Sequence, residues 1–173
     1  MVDAARAAGF YAIVELQPGH AEFLTQARRY EELLTQPHVG LALDPEWRLA
    51  PGERHLRDVG QVSVDEVNRL AEWLAELTRR HALPQKLLLL QQFQLDMLPN
   101  RASITTHPEL ALVVQMDGFG SQNLKLNTWR AITQGGPPGV HFGWKQFYDE
   151  DRPVRPPSET LALEPSPVFI SYQ

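Results

Sequence analysis

The segment KLLLLQQF, Lys86 to Phe93, carries four consecutive leucines followed by two glutamines. A strand with one face in water alternates apolar and polar residues, so an unbroken leucine run means that both faces are covered. This predicts a buried strand inside a parallel sheet flanked by helices. Working outward, LALVVQM, Leu110 to Met116, repeats the pattern. HVGLALDPEW, His38 to Trp47, predicts a strand upstream, with Pro45 limiting its regular pairing. YAIVELQ, Tyr11 to Gln17, predicts another, ended by Pro18 and Gly19. VHFGWKQF, Val140 to Phe147, and PVFISYQ, Pro167 to Gln173, complete a set of six.

Helical patterns and long connections separate these strands. His20 to Thr35 repeats apolar residues at helical spacing through Phe23, Ala27, Tyr30 and Leu34. Ser63 with Glu66 three residues later is the capping-box pattern, and Val67, Leu70, Leu74 and Leu77 form the stripe that follows. Asn123 to Thr133 predicts a further helix, and shorter helical pieces are expected at Val2 to Ala8, Asp96 to Leu98 and Pro157 to Leu161. Long crossovers between strands imply parallel neighbours. The expected fold is α/β and TIM-barrel-like, with about six βα units; the alternative is an open parallel three-layer α/β sheet.

Length sharpens this expectation. A complete eightfold barrel takes roughly 250 residues, and the chain has 173. The reading is a single β/α domain over residues 1–173 that lacks its N-terminal barrel units. Self-association through exposed edge strands is a further expectation.

Composition narrows the function classes. Hydrophobic residues make up 43 %, as in a globular domain. Lys plus Arg is 16 against 21 for Asp plus Glu, a formal charge of -5 that argues against a nucleic-acid partner. The absence of cysteine excludes disulfides, thiolate chemistry and cysteine-ligated metal centres. No run reaches the roughly 18 apolar residues of a membrane span. The start, MVDAARAAGF, lacks the basic and apolar regions of an export signal. DGFG at Asp117 to Gly120 matches neither GxGxxG nor a Walker loop, and no GxSxG or HExxH occurs.

The polar signal lies at the strand ends. Each strand begins apolar and turns polar at its C-terminal end: Glu15 and Gln17, Asp44 and Glu46, Gln91 and Gln92, Gln115 and Asp117, Trp144 and Lys145, and Ser171 to Gln173. Ligands of barrels and open parallel sheets sit beyond this edge. Polarity rises wherever a strand leaves the core, but six strands doing so with amides and acids favours a site. Residues two apart share a face, which groups Glu15 with Gln17, Asp44 with Glu46, Gln115 with Asp117, and His141 with Gly143 and Lys145.

Such a cup of carboxylates, amides and one ammonium suits a polyhydroxylated ligand, with Trp47, Trp144 and Tyr148 as stacking surfaces. Glu46 is assigned as acid and Asp117 as nucleophile or base. Asp44 lies beside Glu46 to separate their proton affinities. Glu15, Gln17, Gln91, Gln115, Trp144, Lys145 and Tyr172 are the expected substrate-binding residues. An oxygen-ligated magnesium or calcium at Glu15, Asp44, Glu46 and Asp117, with His141 joining, is a weaker option. No metal and no cofactor is assigned.

YAIVELQPG, VGLALDPEWRL, LLLLQQF, VVQMDGFG, HFGWKQFYDEDRP and PVFISYQ together resemble a group of actinobacterial exported proteins or lipoproteins similar to glycoside-hydrolase-like β/α barrels. The resemblance spans nearly the whole chain. It implies a carbohydrate or cell-wall glycan as partner and a secreted or cell-envelope location in longer relatives. A chain complete as it stands would instead be cytoplasmic or heterologous. A glycan- or polyol-binding protein without catalysis, and a structural fragment completed by association, remain beside the enzyme.

Overall fold

The computed structural model describes all residues, Met1–Gln173. The strands are β1 Ala12–Leu16, β2 Val39–Leu43, β3 Lys86–Gln92, β4 Leu110–Met116, β5 His141–Gln146 and β6 Phe169–Tyr172. All neighbours are parallel, and they lie in the order β1-β2-β3-β4-β5-β6. Right-handed crossovers in an unreversed order all fall on one side of the sheet, whereas a doubly wound sheet needs a reversal. The result is a curled, open, incomplete TIM-barrel-like fold, and the three-layer alternative falls.

Strand parity builds the core. Val39, Leu41 and Leu43 of β2, Leu88 and Leu90 of β3, and Leu112, Val114 and Met116 of β4 pack into one apolar cluster with the covering helices. Full burial of a side chain of this size contributes roughly 1.5–3 kcal/mol. The alternate residues form the inner face. There Ala42, Leu89 and Val113 make a small buried patch, with Ile13, Leu87 and Phe169 at its margin. The leucine run of β3 therefore divides between two different environments.

The helices are α1 Val2–Ala7, α2 Phe23–Ala27, α3 Glu31–Leu34, α4 Val64–Arg80, α5 Gln122–Ile132 and α6 Pro157–Leu161. The single helix expected over His20 to Thr35 is broken. A 3-10 turn, Arg28–Tyr30, which buries no residue, separates α2 from α3. Phe23, Ala27 and Leu34 are buried, but Tyr30 between them is exposed, so no apolar anchor holds the middle turn. None of the helices is long and apolar enough to cross a membrane.

Only half of the expected capping box forms at α4. Ser63 Oγ accepts the Glu66 N–H at 3.2 Å. The Glu66 carboxylate does not return to Ser63. It accepts from Phe23 N at 2.8 Å, at the start of α2, and from Arg48 Nε at 3.1 Å. Tertiary partners have claimed the group that local geometry reserves for the cap.

Candidate functional site

Beyond the C-terminal ends of the strands lies a cavity of about 570 Å³. Glu15, Gln17, Asp44, Glu46, Asp117 and Lys145 supply its polar lining, and Trp47, Phe93, Phe119 and Phe147 its aromatic walls. All three residues expected to carry chemistry, Asp44, Glu46 and Asp117, meet here. An adjoining cavity of about 250 Å³ shares Glu15, Lys145 and Gln173, and is lined also by Gln91, Gln115 and Tyr172.

Asp44 and Glu46 converge by a different route from the one strand spacing predicts. β2 ends at Leu43, and Pro45–Trp47 forms a 3-10 turn with proline in its first turn. Proline lacks an N–H and has a fixed φ, which suits a helix start better than a strand. Asp44 caps this turn: its Oδ1 accepts the Glu46 N–H at 3.3 Å and its Oδ2 accepts Gln17 Nε2 at 3.1 Å. Gly60 holds the turn from below, donating its N–H to Glu46 O at 2.7 Å. A β-carbon on Gly60 would stand 2.5 Å from Arg48 O and 2.6 Å from Glu46 O, so only glycine permits this approach.

Lys145 Nζ pairs with Asp117 Oδ1 at 2.9 Å. Gln91 Nε2 donates to Glu15 Oε2, while Gln91 Oε1, although buried, receives no donor. Gln115 Nε2 donates to Ser171 Oγ at 2.6 Å.

Burial sets the electrostatics. It raises the Asp44 carboxyl to about 7, helped by the charges of Asp117, Glu46 and Glu15 and opposed by the Gln17 hydrogen bond. It raises Asp117 to about 6, against the attraction of Lys145. It also raises Glu46, again opposed by Lys145. Asp44, Glu46 and Asp117 share a partly desolvated space with a single ammonium, that of Lys145, whereas Glu15 is exposed.

Three expectations are corrected. Trp144 does not line the site. It is 1 % exposed and packs edge-on against Trp129, with centroids 5.7 Å apart. Parity on β5 turns Trp144 and Gln146 toward the helices and Lys145 inward. Tyr148 stands outside both cavities, stacked on Tyr172 at 5.7 Å. His141 begins β5 and lines a separate cavity with Gln85 and His107, so it does not meet Lys145. No group of three or more His, Asp or Glu side chains has the geometry to hold a metal ion.

Sequence reasoning missed the support behind the site. Asp151 Oδ2 accepts from Lys125 Nζ, from Gln146 Nε2, and from Phe147 N at 2.8 Å; its Oδ1 accepts Gly120 N at 3.0 Å. Lys125 Nζ also donates to Lys145 O at 2.8 Å. One buried pair thus ties the backbone at Lys145, Phe147 and Gly120 together. The available signal was Lys125 itself, in line with Trp129 and Ile132 on the buried stripe of α5. A cation there demands a buried acid. Comparisons with family models, with curated proteins and with solved structures find no match to this chain.

Proposed function

We propose that the large cavity binds a carbohydrate and that its carboxylates hydrolyse a glycosidic bond. The observation that carries this reading is the pair of buried aspartates, Asp44 and Asp117, lining one cavity with different neighbours. Asp44 keeps its proton nearer to neutrality than an ordinary carboxyl and acts as general acid. This moves the acid role from Glu46 to Asp44. Asp117, with Lys145 against it, carries the negative charge and acts as nucleophile or base. Glu46 supports the acid, while Glu15 and Gln17 accept and donate to sugar hydroxyls. Trp47 offers a stacking face.

The test is product release from a panel of glycans. Asp44→Asn and Asp117→Asn should each lower the rate by about 100-fold or more. Unchanged release in both variants overturns the catalytic roles. A second reading, glycan binding without cleavage, draws support from Asp44, whose two oxygens are already engaged by Gln17 and the Glu46 N–H. It predicts saturable binding with no new reducing ends. A cell-wall glycan and an exported or envelope location belong to the same proposal and rest on the sequence resemblance. Self-association would use the outer edges of β1 and β6, and solution mass tests it.

A further inference from the structure

We propose that the group held among the carboxylates is a protonated amine, so that the ligand is an amino sugar with a free ammonium and not a neutral sugar. This inference rests on the carbohydrate reading above. Charge is the first argument. Glu15, Asp44, Glu46 and Asp117 line one cavity, and Lys145 is the only cation beside them. With Asp44 protonated and Glu15 exposed to water, Glu46 and Asp117 face the one ammonium of Lys145, and one negative charge remains in excess. A neutral sugar leaves that excess uncompensated, whereas an ammonium removes it.

Hydrogen-bonding capacity is the second argument. Lys145 is already committed to Asp117. Gln91, 1 % exposed, lines the adjoining cavity beside Glu15, and its Oε1 receives no hydrogen bond. In the large cavity itself four carboxylates face one ammonium, and a ligand ammonium brings three donors and no acceptor.

The walls supply the third argument. Aromatic faces attract cations. Lys145 Nζ already sits over the Phe147 ring, 5.0 Å from its centroid. Trp47, Phe93 and Phe119 present three more aromatic side chains to the same space. Acids with aromatic walls form a better receptor for a desolvated cation than for a hydroxyl. Seating that cation also favours ionisation of Asp117, the state its role as nucleophile or base needs, so binding near pH 6 should release protons.

The experiment is calorimetric titration of the intact protein with a glucosamine trisaccharide, its N-acetylated counterpart, a neutral glucose trisaccharide and spermidine. The free-amine trisaccharide should bind at least about tenfold more tightly than either other sugar. Its binding should release protons, read from titrations in buffers of different ionisation heat. Replacing Glu15 and Glu46 together by glutamine should shrink the preference, with circular dichroism verifying the fold. Equal affinity for the three sugars overturns this inference and leaves the carbohydrate reading standing. Binding of spermidine alone, or of no ligand, overturns both.

Discussion

Asp151 and Asp44 are both buried at the C-terminal edge of the sheet, 2 % and 3 % exposed, and their surroundings are opposite in kind. Asp151 faces one ammonium and three N–H donors, which come from α5, β5 and the two loops beyond β4 and β5. Asp44 receives one amide and one backbone N–H, and three other acids raise its proton affinity further. The first arrangement satisfies its charge from within. The second leaves charge unsatisfied beside a cavity. Burial of an acid does not by itself point to function; uncompensated burial next to open volume makes a candidate site.

The largest expected effect tests the compensated member. Asp151→Ala strands Lys125, 2 % exposed in its side chain, without a counter-ion. The expected loss is about 3–5 kcal/mol in urea unfolding. A loss below 1 kcal/mol would mean that Asp151 is no more compensated than Asp44.

Asp44→Asn should act in the other direction. A carboxyl raised from 3.8 to about 7 keeps in the folded state a proton that the unfolded chain releases. Its stabilising contribution is full below the unfolded value and is lost as pH rises through about 7, where the buried charge becomes a burden. The variant should therefore be about 1–3 kcal/mol more stable than the parent at pH 8. The difference should shrink toward zero near pH 4. No gain at pH 8 would erase the contrast with Asp151.

Lys86 at the opposite end of the sheet sharpens the same point with the smallest effect. It is fully buried and has no carboxylate partner, yet donates to Gln36 O and Val39 O at 2.8 Å each. Burial lowers its ammonium from 10.5 to about 8. Between those values the unfolded chain binds more protons, so its contribution to stability rises with pH. The parent should gain about 1 kcal/mol across that window relative to Lys86→Met, read as unfolding free energies at pH 8 and pH 10. Parallel pH profiles for the two proteins would show that the carbonyls compensate the charge fully.

The strands were legible because their apolar runs are long and sit between clear breakers. Leu110 to Met116 is reproduced to the residue, and β3 to within one. The polar edge was legible for the same reason, since a strand that leaves its core must change composition. Trp144 was misplaced because alternation says which residues share a face and not which face meets the helices. Asp44 and Glu46 met through a proline-started turn that strand spacing does not describe. Asp151 was invisible within the acidic run Asp149 to Asp151, since nothing local separates it from its exposed neighbours.

The sequence by itself determined six strands, their parallel arrangement and an acid- and amide-rich edge. These follow from periodicity and composition, which act over a few residues. Tertiary structure decided which acids are satisfied and which are not. The partners that settle this are remote in the chain: Gln17 and Asp44 are 27 residues apart, Lys125 and Asp151 are 26 apart, and Glu15 and Gln91 are 76 apart. Electrostatic compensation is a through-space quantity that falls with distance and rises with desolvation. Only the curled sheet sets those distances and excludes the water, and so only the fold separates the clasp at Asp151 from the cup at Asp44.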